Sequence, residues 1–344
     1  MNNRAKNILY SLLLLAVVGI VWLLRRNQVA PPIRMEGNTM GTSWHVTAFD
    51  PQQRPWQDEI DSILLLVNKS ISTWDSTSEI SRFNRSPEGI ALGLPYFLPP
   101  LKVSEQVHRA SSGAYDPTVM PLVNAWGFGP EKITKPDTVR IRSTLAFIGF
   151  DKIGISQDSV TKRDPRLQLD FSAIGQGYGA DVITDYLRAQ GVTDMLVELG
   201  GEGMAVGINR ASGKPWTLGL VDPRNPKAFI GYISLSNRSF STSGNYFNYR
   251  EVDGIRYSHT IDPATGFPAE RAIMSATVFA ADCATADAWA TAFMTMGHEK
   301  AIETLKQHPE LDALLIWSAD NADGMEKYLT PGAAALITFE EKKP

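Results

Sequence analysis

The sequence predicts a mixed α+β protein, one large domain standing behind an N-terminal membrane anchor. Three observations lead there. Strand-like and helix-like segments interleave along the chain without an internal repeat. No linker splits residues 33–344 into independent units. Ile8 to Leu24 is a run of 17 residues without a charge.

That run is preceded by Arg4 and Lys6 and followed by Arg25-Arg26. It sits at the lower limit for a membrane-spanning helix, roughly 17–25 residues. It is longer than the apolar core of a cleavable signal, about 7–15 residues. Gln28-Val29-Ala30 is a poor cleavage site, because Gln28 stands where a small residue is wanted. The expected organisation is therefore a basic segment 1–7, a transmembrane signal-anchor 8–24, a linker 25–32 stiffened by Pro31-Pro32, and a domain 33–344. A signal peptide cut after Ala30 is the alternative.

Of 344 residues, 43% are hydrophobic and 20% charged, as in a globular chain with a sizeable core. The net charge of -4 is interspersed, with no basic stripe of the kind a nucleic-acid surface needs. The one cysteine, Cys283, excludes an intramolecular disulfide and reads as a small buried apolar residue.

In chain order, Ser43 to Phe49 predicts a strand and Asp58 to Lys69 a helix with Ile60, Ile63, Leu64 and Val67 on one face. Ser76 and Glu79 have capping-box spacing. Trp74, just before them, falls on a loop, as a core plug or as a stacking surface. Val103 to Ser112 predicts a helix ended by Gly113. Asp116 in the next turn is placed to cap a helix through Pro121 to Ala125, and Asp137 to cap another ending at Gly149. Ile153 to Ser156 and Leu167 to Leu169 read as short strands. Asp170 to Asp181 reads as a strand running into a Gly-rich loop and then a helix from about Gly177 to Gln190. Such a loop admits a phosphate or is only a tight turn. It carries neither a dinucleotide fingerprint nor a phosphate-loop Lys. Strands follow at Met195 to Leu199, Gly203 to Ile208, Trp216 to Val221, Phe229 to Leu235, Tyr257 to Ile261 and Ala276 to Phe279. Ser241 to Gly244 reads as a small-residue loop. His259, near a strand end, is a structural or a catalytic residue. Lys300 to Gln307, Ala313 to Trp317 and Ala334 to Phe339 complete the pattern.

Asp282 to Gly297 is the most informative stretch. It predicts a helix, apolar nearly all round and hence buried, that carries Asp287 in its middle. A buried carboxylate needs a cation or several donors. Thr291, four residues on, shares its face. A carboxylate and a hydroxyl make half of an oxygen-only Mg²⁺ site. Equally, Asp287 fits a core residue bonded to backbone amides of a neighbouring loop, with Thr291 bonded back to its own helix.

Together these stretches resemble the ApbE family, the FAD:protein FMN transferases. The blocks, in family order, are Met40-Gly41-Thr42, the Ser72 to Asn84 segment, Gly113 to Thr118, Asp170 to Asp181, Leu199-Gly200-Gly201, Ser243-Gly244, His259 to Gly266, and Ala286-Asp287 to Thr291. The resemblance implies a T-fold-like catalytic domain. It implies an enzyme that binds FAD and Mg²⁺ and moves FMN onto a Ser or Thr of an acceptor protein, releasing AMP. It implies Asp287, Thr291 and the Ala173 carbonyl as metal ligands. Met40, Trp74, Ala114, Tyr115, Asp116, Asp170, Gln176 and Ile261 become FAD contacts, and His259 the base, with Asp262 as another candidate. Gln176 departs from the Lys or Glu of many relatives, and Trp74 from a common Tyr. Exported members flavinylate membrane-linked redox proteins, such as sodium-translocating NADH:quinone reductase, Rnf-type subunits and other FMN-binding domains. The expected place is the bacterial inner membrane, single-pass, with the domain in the periplasm. An FAD pyrophosphatase and a non-catalytic FAD-binding protein are the rival readings.

Overall fold

The structure, a computed structural model, describes residues 3–26, 30–131, 136–244, 249–252, 255–269, 273–319 and 324–340. The linker 25–32 thus lies partly outside the described residues. An antiparallel sheet of eight strands carries the domain. Its order is Ile33–Thr39, Thr42–Ala48, Met195–Leu199, Glu202–Val206, Arg238–Gly244, Ile273–Phe279, Asp312–Ser318 and Met325–Leu329. Alternation along these strands gives the sheet two apolar faces. On one, Phe240, Phe279, Leu314 and Ile316 pack against a small sheet formed by Trp216–Asp222, Asn225–Leu235 and Ile337–Phe339. On the other, Trp44, Val46, Val197 and Leu199 meet the helices Gln57–Ile71 and Gly175–Ala189 through Ile60, Leu64, Ile183 and Leu187. The buried helix Cys283–Met296 lies beside them, between the sheet and a core that includes Phe97, Phe171 and Trp289.

Several expectations are corrected. The helix expected from Val103 to Ser112 runs Leu98–Ala110, because Pro99 and Pro100 fit its first turn. Ser78, not Ser76, caps the helix Glu79–Arg85 by accepting from the Ser81 N–H. Glu79 turns inward, to Ser70 and to the Gly93 and Leu94 amides. Leu167 to Leu169 is only a bridge, Val119 to Gln168, and the strand lies at Ser159–Lys162. Ser241 to Gly244 is sheet interior rather than loop. Residues 334–336 continue a turn of helix, Pro331–Leu336, capped by Thr330.

The first helix runs Asn3–Arg26. Among the described residues, no helix is long and apolar enough to cross a membrane.

Candidate functional site

The site grows from two helices that approach closely. The helix expected from about Gly177 starts at Gly175 and runs Gly175–Ala189, so Gly175 joins Gly177 and Gly179 inside it. A Cβ on Gly177 would stand 2.5 Å from the Cys283 carbonyl oxygen and 2.8 Å from Asp287 Cβ. Only hydrogen at that position lets the two backbones come together. On Gly179 a Cβ would meet Leu199 and Met40 instead.

Asp287 and Asp181 then clasp the helices reciprocally. Asp181, on the first helix, accepts the Cys283 and Ala284 amides at 2.8 Å each. Asp287, on the second, accepts the Gly177 amide through Oδ2 at 3.1 Å. Among the described residues its Oδ1 has only the Ser241 hydroxyl, at 3.4 Å. The amide-bonded alternative for Asp287 is therefore half met. Burial raises its carboxyl to about 7.

A stripe of serines on the neighbouring strand serves the helix. Ser239 Oγ donates to the Ala280 and Asp282 carbonyls, Ser241 to Asp287, and Ser243 Oγ lies 3.4 Å from Thr291 Oγ1. Two strand residues advance about 6.8 Å and four helix residues about 6 Å, so alternate serines keep pace with successive helical turns. Thr291 thus faces the strand. It is Thr295, one turn on, that bonds back to its own helix, at the Ala292 carbonyl.

Thr295 also donates to the Ala114 carbonyl at 2.7 Å, drawing residues 113–118 to the same helix. Asp116 is buried, accepts the Thr118 amide and hydroxyl, and has His108 Nδ1 3.5 Å from it; burial raises its carboxyl. Tyr115 points into the core, where its hydroxyl meets Ser104 at 2.9 Å. Asp170 sits beside this turn, its amide bonded to the Pro117 carbonyl and its Oδ1 held by Ser172. Burial raises its carboxyl too. Ala173 follows, and among the described residues no N–H bonds its carbonyl. Gln176 lies against the turn Gly200-Gly201, since a Cβ on Gly200 would stand 2.8 Å from its Nε2.

Met40 completes this edge at a positive φ of 50°, in the turn between the first two strands. Trp74 stands on its loop 70% exposed, so it is no core plug. Asp75 beside it is held by Lys69 and Thr77. His259 is half-buried just after the strand Ile255–Ser258. The Ile261 side chain is buried with Leu122, Trp126 and Ile141. Asp262 Oδ1 accepts the Ala264 amide at 2.9 Å, a turn-forming bond.

Three residues of this neighbourhood have no role in the expectations from sequence. Asp181 closes the Gly-rich stretch and reads there as an ordinary helix residue. Ser241 was hidden in an apparent loop, although the alternation Ser239, Ser241, Ser243 is a strand signal. Glu202, the other, follows a turn and reads as a surface charge, yet it is buried.

A sequence model of the ApbE family matches residues 40–315. The chain belongs to the ApbE family. It is 36% identical over 326 residues to the FAD:protein FMN transferase of Vibrio cholerae, spanning 92% of this chain and 96% of that one. It is 31% identical to the FAD:protein FMN transferase of Escherichia coli strain K12, with 89% and 90% covered. Among solved structures, flavin transferase ApbE from Vibrio cholerae, in a histidine-to-glycine variant, superposes with a TM-score of 0.80 at 35% identity. That match covers 89% of this chain and all of the other. The apo flavinyl transferase ApbE of Pseudomonas stutzeri gives 0.79 at 33% identity, over 89% and 96%.

Proposed function

We infer that this chain is an FAD:protein FMN transferase that uses Mg²⁺ and a Ser or Thr hydroxyl of an acceptor protein. The near full-length likeness to transferases of that name carries the reading. The residues fit a hard cation. Asp287 has an under-bonded oxygen, Thr291 offers a hydroxyl, and the Ala173 carbonyl takes no N–H among the described residues. Asp287, Thr291 and Ala173 would hold Mg²⁺, which supplies charge neutralisation at the pyrophosphate and fixes the angle of attack.

The protein groups do the rest. Trp74 offers an exposed ring face for a flavin or adenine. On this reading Met40, Ala114, Tyr115, Asp116, Asp170, Gln176 and Ile261 are the further FAD contacts. His259 takes the proton of the acceptor hydroxyl, whose oxygen bonds the FMN phosphorus as the bond to AMP breaks; such a base is worth roughly 10²–10⁴-fold. Asp262 is the weaker candidate, because one of its oxygens already holds a turn. The acceptor is a membrane-linked FMN-binding domain, of the NADH:quinone reductase or Rnf type. The inner-membrane anchor with the domain in the periplasm rests on the uncharged run Ile8 to Leu24 between Arg4, Lys6 and Arg25-Arg26.

The test uses the full chain in detergent with FAD, Mg²⁺ and an FMN-binding acceptor domain. A fluorescent acceptor band on a denaturing gel, with matching AMP and loss on chelation, is the expected result. AMP with free FMN and a dark acceptor would make it a pyrophosphatase. Bound FAD without AMP would leave only a binding protein.

A further inference from the structure

Glu202 is the residue that the transfer reading leaves over. The two-residue hairpin Gly200-Gly201 has both glycines at positive φ, 70° and 107°, and pairs Leu199 with Glu202. The chain therefore turns inward at Glu202, which is only 7% exposed. Among the described residues its Oε2 has no hydrogen-bond partner. Buried carboxylate oxygens rarely go without one, because desolvation then goes uncompensated. The antiparallel register pairs Gly203 with Phe240, which sets Glu202 beside Ser241, and Ser241 donates to Asp287.

We propose that Glu202 belongs to the cation site, its unpartnered Oε2 adding a second carboxylate oxygen to the one Asp287 offers. This rests on the reading that Asp287 holds Mg²⁺. It accounts for a charge at the end of a tight turn that would otherwise destabilise the fold. Two carboxylates also favour a divalent over a monovalent ion, because the attraction scales with the product of charges.

The test is metal binding rather than turnover. Mn²⁺ is titrated into the full-length protein with ADP present as an unreactive nucleotide, and free Mn²⁺ is read by electron paramagnetic resonance. Wild type, Glu202→Gln and Asp287→Asn are compared, and each is melted without metal. The expected result is at least tenfold weaker Mn²⁺ binding in Glu202→Gln, with a metal-free melting temperature at or above wild type. Wild-type affinity in Glu202→Gln, within twofold, overturns the proposal while leaving the Asp287 site standing. A Glu202→Gln protein that melts lower yet binds Mn²⁺ normally makes Glu202 structural, and also overturns it. Absence of Mn²⁺ binding in the wild type itself sinks the cation reading and this proposal with it. Should Glu202→Gln not fold, Glu202→Leu, of similar volume, is read by the same criteria.

Discussion

Asp181 and Asp287 are near mirror images, and they differ in one respect. Each sits on one of two packed helices and reaches the first turn of the other. Burial raises both carboxyls to about 7. But Asp181 has both oxygens bonded to backbone amides at 2.8 Å, whereas Asp287 has one amide at 3.1 Å and a serine at 3.4 Å. The same residue type, its carboxyl raised by burial to about 7 in both places, is a finished clasp in one and an open ligand in the other. What separates structure from chemistry here is spare hydrogen-bond capacity, not burial or acidity.

The largest effect expected is on Asp287. Asp287→Asn should lower kcat for flavin transfer by about 10³-fold or more, the scale of losing an electrostatic anchor in a closed site, while the metal-free melting temperature holds or rises. A marked loss of stability would make Asp287 a clasp like Asp181 and break the contrast. Asp181→Asn should do the reverse. It leaves one helix-start amide without an acceptor, at about 1–3 kcal/mol in urea unfolding, with kcat changed far less. Gly177→Ala tests the approach that both carboxylates depend on. It should cost about 1–3 kcal/mol from overpacking, and weaken metal binding and stability together.

The pH dependence sharpens the comparison further. Both folded pKa values, about 7, exceed the ordinary 3.8, so the native state binds these protons more tightly than the unfolded chain does. Their contribution is fully present below about pH 4 and is lost as pH rises through about 7. In metal-free protein, urea unfolding from pH 5 to pH 8 should show both losses. Mg²⁺ should abolish the Asp287 part and leave the Asp181 part. A curve that Mg²⁺ leaves unchanged would put no metal at Asp287. The smallest effect is at the rim. Trp74→Ala should raise KM for FAD by about 1–3 kcal/mol of lost stacking with no change in melting temperature, since the ring is exposed.

Much of this was legible in the sequence. The buried helix with Asp287 and Thr291 four apart was readable because an apolar run around one carboxylate has few explanations. The strands at 195–199 and 276–279 were readable because their apolar residues are β-branched or bulky. The helix from about Gly177 begins at Gly175, two residues earlier than expected, since glycine is a poor helix former and only the facing helix shows why it is needed. The strand Arg238–Gly244 was missed, its last four residues being read as a loop, because small polar residues look like a turn when their partners, Ser275 to Val278, lie far along the chain. Glu202 was missed for a related reason: a charge after two glycines suggests solvent, and nothing local says that the hairpin folds inward.

Cys283 begins the helix that carries Asp287. It is fully buried, and burial together with Asp181, Asp287, Glu202 and Asp282 pushes its thiol well above the usual range. The protein thus has almost no thiolate at neutral pH, and thiolate is the form that reacts. Since this is the chain's one cysteine, the native protein is a silent background for maleimide labelling. A cysteine placed on the Trp74 loop would take a single fluorophore or spin label without first deleting the native thiol, so nucleotide arrival could be followed on an otherwise unaltered site.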